Sequence, residues 1–335
     1  MSLQSDSVGT QSSPTFPAQQ AAFVQRLINV RFTLAAGQYQ NTSSNTVDLT
    51  GLRISARIAN AGGLSVPELD MDVYGMPLEL MNRLSTLGQV IQDDQTKLLS
   101  NTVTVTAGNN TTGMGIVFMG TVRAAWGNFE PAPEVPFHVD ALGMGAAAAI
   151  PYTPSSYNGP TSIVTICSGL ATAMNLRFEN GGVPNTATIP KPYLWGSAKS
   201  QLEQVITQAK ISCNWGENGV LAIWPKGGNR GGQIPLLSPS TGMIGYPNYS
   251  SVGIIVRSIF NPSIGQGEPG DIPATGGGGP QLGGLIKIQG SQLTAANGLF
   301  KVYGLDHALE SQVPHGQWFS TIKAYNPKTQ TQPAL

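Results

Sequence analysis

Apolar and polar residues alternate with a period of two along much of the chain, the pattern of strands that place one face on a core. In the first part of the chain the alternation covers the stretches 28–34, 52–58, 69–74, 103–105 and 135–141. One helix is predicted among these strands, with Pro77 in its first turn and Gly88 at its end. Its apolar face is formed by Leu78, Met81 and Leu84.

Over residues 151–226 the spacing of apolar residues changes to the period of an α-helix. Apolar residues recur at i, i+3, i+4, i+7 and i+11, which predicts a helix; they are Ile163, Ile166, Cys167, Leu170 and Met174. A second helix is predicted after Ser197, a suitable N-cap residue. A hairpin follows, because the stretches 211–215 and 220–224 flank a Gly-Glu-Asn-Gly turn. This part is predicted to be a small α/β domain.

The last part of the chain, residues 227–335, returns to strand patterns at 252–260, 285–291, 299–305 and 318–325. A Gly/Pro-rich stretch at 261–284 is too long for an ordinary turn. It is predicted to protrude and contact a partner through Gly276, Gly277, Gly278 and Gly279.

The predicted fold class is therefore mainly β with a smaller α/β part. Residues 1–20 are predicted to be a flexible N-terminal arm, residues 21–150 a first β domain, and residues 227–335 a second one. The α/β domain of residues 151–226 lies between the two in sequence.

The low content of charged residues bears on association between copies of the chain rather than on the fold. Charged residues make up 11% of the 335 residues, with 18 basic and 18 acidic side chains, against a usual share of about 25%. Few charges oppose contact between copies, so extensive oligomer interfaces are expected. The sequence has no basic patch, no apolar run of about 20 residues and no signal-peptide pattern, so neither nucleic-acid binding nor membrane insertion is predicted.

The histidines and cysteines, which are common catalytic and metal-binding residues, are spread along the sequence without clustering. His138, His307 and His315 lie in no cluster of metal ligands, and His138 with Asp140 is interpreted as a solvent-side pair on one strand. Cys167 falls on the apolar stripe of a predicted helix, so a buried thiol is favoured over a nucleophile. No catalytic residue, metal ligand or cofactor-binding residue is predicted.

Two further patterns have competing readings. The glycine-rich stretch 227–232 leads into Gln-Ile-Pro rather than a helix, so a turn is favoured over a phosphate loop. An aromatic set could form a sugar-binding platform, although core or interface packing is favoured by its apolar neighbours; the set is Tyr193, Trp195, Trp215 and Trp224.

Several phrases of the sequence resemble the hub proteins of contractile-tailed bacteriophages. The first part of the chain carries GLRISARI at 51–58, VYGM at 73–76, LMNRLSTLG at 80–88 and AWGNF at 125–129. Later phrases are NGVLAIWPKGG at 218–228, GQIPL at 232–236, HALES at 307–311 and GQWF at 316–319. The resemblance covers about residues 25–325, and its phrases identify a family without marking a site.

The resemblance implies a structural subunit of the tail baseplate in the virion, assembled in the cytoplasm of the host bacterium. It implies two tail-tube-like β-barrel domains, so that a homotrimer makes a pseudo-sixfold ring between the tail tube and the central spike. The implied partners are the tail tube protein, the spike protein and other baseplate proteins, with genome DNA only as passing cargo. No cofactor or catalytic residue carries over, because the implied role is mechanical.

Three alternatives stay open from the sequence. The chain could be a cell-wall hydrolase of the same particle, a carbohydrate-binding β protein, or a spike component of a related contractile secretion system.

Overall fold

The structure is a computed structural model that describes residues 25–35, 44–87, 90–91, 98–99, 101–109, 113–143, 151–217, 219–261 and 279–328. The predicted N-terminal arm at 1–20 lies outside these residues. Strands dominate, and the fold is mainly β as predicted. The first part of the chain forms β1 (Arg26–Thr33), β2 (Thr46–Leu49), β3 (Arg53–Asn60), β4 (Glu68–Tyr74), β5 (Thr86–Leu87), β6 (Val90–Ile91), β7 (Leu98–Leu99), β8 (Thr102–Asn109), β9 (Gly113–Gly127) and β10 (Pro136–Leu142).

The helix predicted after Pro77 is confirmed but shorter than expected. Helix α1 spans Leu78–Leu84 and buries Met81 and Leu84. It ends at Ser85, which returns to extended backbone, so the prediction that Gly88 closes it was wrong. The physical reason is that the next residues, Thr86–Leu87, pair with β9 as a strand.

The middle part of the chain has the predicted helices and hairpin. Helix α2 spans Ile163–Ala173, and helix α3 spans Ala198–Ala209, where the backbone N–H of Ser200 donates to the Ser197 hydroxyl at 3.2 Å. Around them lie β11 (Ser155–Ser156), β12 (Thr161–Ser162), β13 (Arg177–Asn180), β14 (Thr188–Ile189), β15 (Tyr193–Leu194), β16 (Ile211–Glu217) and β17 (Val220–Pro225).

The last part of the chain forms β18 (Leu236–Leu237), β19 (Met243–Tyr249), β20 (Ile254–Ile259), β21 (Leu285–Ile288), β22 (Gly298–Ser311) and β23 (Trp318–Tyr325). The four strands predicted here are confirmed. β19 was not predicted, because Gly245 and Pro247 interrupt its alternation.

One large sheet joins the first and last parts of the chain. Its strand order contains an unbroken run β19-β20-β23-β22-β3-β4-β10-β9, and every neighbouring pair in that run is antiparallel. The junction between the two parts is the pairing of β22 with β3, from Leu305–Asn60 to Ser311–Ile54. We refer to these eight strands as the eight-strand run.

Beyond β9 the sheet continues through β8, β1 and β2 and curls back over a core. Phe32 on β1 meets Phe137 on β10 edge to face, with ring centroids 6.5 Å apart. Arg26 at the start of β1 donates to the carbonyl of Gly316 at 2.7 Å and lies over the Trp318 ring. The first β unit is thereby closed against the strands of the last part of the chain.

Apolar side chains collect in three main cores. The first lies inside the curled β unit and is completed by Phe260, Leu309 and Trp318 from the last part of the chain. The second surrounds α2 and α3, and the third lies among β20, β21, β22 and β23. The three cores correspond to the three sequence segments, while the domain boundaries themselves stay a prediction.

Candidate functional site

The eight-strand run has one face on the cores and one face that meets solvent. Period-two alternation produces this division, since successive residues of a strand point to opposite sides. We call the solvent side the polar face. Its side chains are mostly charged, hydroxylic or small, namely Arg257, Thr321, Lys323, Asp306, Ala308, Ser55, Arg57, Ala59, Glu68, Asp70, Asp72, His138, Asp140 and Arg123.

The centre of the polar face is a shallow groove of about 340 Å³. Its floor is made by small side chains, Ala59 and Ala308, which oppose Asp306 and Arg57 across β3 and β22. Charged side chains rise on both sides, including Arg57, Glu68, Asp70, Arg123, Asp140 and Asp306. The groove exists because small residues alternate with long ones along neighbouring strands.

Ion pairs between neighbouring strands neutralise two of the basic groups, Arg123 and Lys323. Arg123 donates to Asp140 through Nε at 2.9 Å, and Lys323 Nζ lies 2.7 Å from Asp306 Oδ2. The hydrogen bond that Arg123 donates to Asp140 is the main cause that raises the pKa of Arg123. Arg257 instead stacks over the ring of Phe319, 3.9 Å from its centroid.

His138 has a different partner from the one expected. Its Nδ1 atom lies 2.9 Å from Asp72 Oδ1 on β4, and its ring lies 4.4 Å from that of Trp126 on β9. The predicted pairing with Asp140 was wrong, because Asp140 accepts from Arg123 while Asp72 stands directly opposite His138 in register.

The cysteines and His307 are buried in the protein core. Cys167 and Cys213 are buried and free, and burial raises the pKa of the Cys167 thiol to about 12. His307 lies on the buried side of β22. Among the described residues, no group of three or more His, Cys, Asp or Glu side chains could hold a metal ion. In the same residues, no helix is both long and apolar enough to cross a membrane.

The aromatic set divides into two pairs. Trp215 and Trp224 are buried, as the packing interpretation predicted. Tyr193 and Trp195 are more than 60% exposed, on either side of the fully buried Leu194, so they are not part of the core, and interface packing stays a prediction for them. Tyr193 lies in β15 and points away from the buried Leu194, and Trp195 directly follows that strand.

The glycine-rich stretch 227–232 is a turn and irregular backbone, as predicted, and Arg230 within it forms a two-pronged pair with Glu179 at 2.7 and 2.8 Å. Of the predicted partner-contact glycines, Gly276, Gly277 and Gly278 lie outside the described residues. Gly279 is the first described residue after that gap, and it is buried.

Comparisons with known proteins identify the fold. No protein-family model matches the chain, and no curated protein matches it. Among solved structures, the chain is similar to the 43 kDa tail protein of prophage MuSo2 from Shewanella oneidensis, with 9% identity, a TM-score of 0.52 and coverage of 90% of this chain and 97% of that one. A tail protein from Neisseria meningitidis gives 7% identity, a TM-score of 0.54 and the same two coverages.

A third similar structure is a chain of the Francisella PdpA–VgrG complex, with 8% identity and a TM-score of 0.51. The match covers 93% of this chain and 60% of that one. The resemblance read from the sequence phrases is thus matched by the structure at the level of fold, and the chain has the fold of phage tail proteins.

Proposed function

We propose that the chain is a structural, non-enzymatic hub subunit of a contractile phage tail baseplate, and that its polar face lines the axial channel of a trimeric ring. The observation that carries the proposal is the eight-strand run, a single antiparallel wall with one solvent-facing side. The proposed location is the virion tail, with assembly in the host cytoplasm. The proposed partners are the tail tube, the central spike and other baseplate proteins.

The dimensions of the run support a channel. Neighbouring strands are spaced about 4.8 Å apart, so three copies of eight strands give a wall of roughly 115 Å in circumference. The corresponding diameter between opposite backbones is about 37 Å, and strand tilt enlarges it. After side chains are allowed for, the bore remains wide enough for a nucleic-acid duplex.

The electrostatics of the polar face suit cargo that must pass without being held. Affinity for nucleic acid depends on basic side chains that are available to phosphates. On the polar face Arg123 and Lys323 are neutralised by carboxylates on adjacent strands. Of the side chains named above on the polar face, five are acidic and four are Arg or Lys, so a wall of this kind offers DNA little to bind.

Two alternatives keep specific support. The similarity to a chain of a VgrG complex favours a spike component of a contractile secretion system as the second candidate. The exposed rings of Tyr193 and Trp195 favour the carbohydrate-binding alternative. The serine–histidine pair of Ser320 and His307 is buried, which disfavours a cell-wall hydrolase that would use it. Turnover of peptidoglycan by the purified protein would contradict the non-enzymatic proposal.

Single-site gold labelling tests the proposed ring. Because both native cysteines are buried, a maleimide-gold reagent should react only with a new surface cysteine. Ala59→Cys places it in the groove of the polar face, and Thr165→Cys places it on the exposed surface of α2. Electron microscopy should show threefold rings with gold at the centre for Ala59→Cys and away from the centre for Thr165→Cys. The proposal would be refuted if gold were absent from the centre of the rings in both variants. It would also be refuted if the protein stayed monomeric at high concentration.

A further inference from the structure

A cavity of about 20 Å³ lies where the α/β part meets the strands of the last part of the chain. β16 and β17 contribute Asn214 and Trp224 to its wall, β22 contributes Lys301, and the segment before β21 contributes Gly283. A space of about 10–15 Å³ is enough for one water-sized species. The cavity can therefore hold one small ion or one water molecule, and it is too small for phosphate or an organic ligand.

Lys301 brings a positive charge to this cavity with no carboxylate beside it. The residue is 3% exposed, and its Nζ atom donates to the backbone carbonyl of Gly228. The ion pairs found among the described residues do not include Lys301. Burial lowers its pKa, because desolvation disfavours the ammonium form. A buried cation with only a neutral partner is costly, and an anion beside it would remove much of that cost.

Trp224 supplies a second donor to the same cavity. It is 3% exposed, and its indole Nε1 atom has no hydrogen-bond partner among the described residues. That edge of the ring lies against Gly283, where a Cβ atom would stand 3.1 Å from Cε2, the ring carbon bonded to Nε1. The ammonium of Lys301 lies 5.7 Å from the centroid of this ring. Because a buried N–H without an acceptor costs free energy, an acceptor at this point would be stabilising.

We propose that this cavity binds a single halide ion such as chloride, held by the Lys301 ammonium and the Trp224 indole N–H. A halide supplies a negative charge for the first donor and an acceptor for the second. Asn214 can add the N–H groups of its amide to the same ion. A water molecule would satisfy the indole but would leave the charge of Lys301 uncompensated. The site lies within one copy of the chain, so it does not depend on the proposed hub function.

A second buried cation at the same junction shows what Lys301 lacks. Arg230 is 5% exposed, and its guanidinium pairs with the carboxylate of Glu179 at 2.7 Å. Lys301 belongs to the large sheet, whereas Trp224 belongs to the three-stranded sheet of the α/β part. The halide would supply for Lys301 the negative charge that Glu179 supplies for Arg230. It would thereby stabilise the contact between the α/β part and the large sheet.

Thermal unfolding of the full-length protein in different sodium salts tests the site. Sodium chloride and sodium bromide should raise Tm above its value in sodium gluconate at equal ionic strength, because gluconate is too large for the cavity. A rise of roughly 4 °C is expected when the halide concentration is about 100 times Kd. Crystals grown in sodium bromide should show one anomalous peak between Lys301 Nζ and Trp224 Nε1.

Two variants each remove one donor, and a third is the matched control. Lys301→Met keeps an apolar side chain but removes the charge, so the difference in Tm between halide and gluconate should disappear. Trp224→Phe removes the N–H, and the Kd for halide should rise about 5–10-fold. Lys287→Met removes the same charge from an exposed position on β21 and should leave the halide effect unchanged.

Three outcomes would overturn the inference. The first is an equal response of Tm to halide in wild type and Lys301→Met, and the second is an ordered water molecule in place of bromide at this point. The third is a bromide peak without a halide effect on Tm, which would indicate an adventitious ion only. If Lys301→Met does not fold, the bromide peak and the halide effect in wild type and Trp224→Phe decide. None of these outcomes bears on the proposed ring, which the gold labelling tests separately.

Discussion

The Nδ1 atom of His307 lies 2.8 Å from the hydroxyl oxygen of Ser320, its cross-strand neighbour on β23. Both side chains are buried, and the ring of Phe260 meets the imidazole edge to face at 5.4 Å. Burial lowers the pKa of His307 from 6.5 to about 4, although the charge of Asp306 opposes that shift. The imidazole is therefore neutral in the folded protein at neutral pH.

This burial predicts a loss of stability in mild acid. Because the unfolded chain protonates His307 near pH 6.5 and the folded chain only near pH 4, stability is complete above 6.5 and declines as the pH falls through that window. The contribution is about 3 kcal/mol. Denaturant titrations of wild type and His307→Gln should differ in slope between pH 6.5 and 4. The control is His315→Gln, on an exposed turn, and equal slopes in wild type and His307→Gln would contradict the prediction.

A second prediction uses two glycines with the same backbone conformation. Gly283 and Gly51 have φ of +76° and +71°. A Cβ on Gly283 would stand 2.4 Å from the Trp224 ring, whereas nothing lies within 4 Å of the same position on Gly51. Both alanine substitutions incur the strain of positive φ, of the order of 1 kcal/mol. Gly283→Ala should cost a further ~1–3 kcal/mol from overpacking, measured by chemical denaturation. Equal costs at the two positions would disprove the close approach.

A third prediction concerns the attachment of the α/β part to the first β unit. The indole N–H of Trp215 donates to the carbonyl of Leu64 at 3.1 Å, from a fully buried ring. Trp215→Phe should keep most of the packing but lose this hydrogen bond, at a cost of about 1–3 kcal/mol. Hydrogen exchange should accelerate at residues 62–66 and 211–215 before it changes in β20 or β23. Uniform acceleration throughout the protein would argue against a local role.

A fourth prediction tests the neutralised polar face. Asp140→Asn with Asp306→Asn removes the carboxylate partners of Arg123 and Lys323, so the variant should bind duplex DNA more tightly than wild type does, in a salt-sensitive manner. Fluorescence anisotropy at low salt measures it. Asp48→Asn is the control, since it removes the carboxylate partner of Arg31 away from the polar face. Equal DNA binding by the control variant would show that the polar face has no special role.

Much of the fold could be predicted because its strands alternate clearly. β23 has the predicted bounds, 318–325, and α3 begins after its predicted cap, Ser197. β19 was missed because Gly245 and Pro247 obscure the alternation. The position of β19 in the sheet is known only from its pairing with β20 in the structure.

The polar face could not be predicted as a site, because its contacts depend on strand register. His138 and Asp72 are 66 residues apart in sequence, and a single strand gives no sign that they face each other. Likewise, nothing local distinguishes the buried Trp215 from the exposed Trp195. Period-two patterns give the side of a strand on which a residue lies, whereas partners across strands follow from the order of strands in the sheet.

The length of β22 has a consequence for how the protein unfolds. Its fourteen residues pair with β21, β23 and β3. Leu309 of β22 belongs to the core of the first β unit. Val302 and Leu305 belong to the core among β20, β21, β22 and β23, which is the core of the second β unit. Loss of this strand removes hydrogen bonds and core contacts from both units together. The two β units should therefore melt in one cooperative calorimetric transition, and neither should persist as a folded fragment once β22 has been cut away.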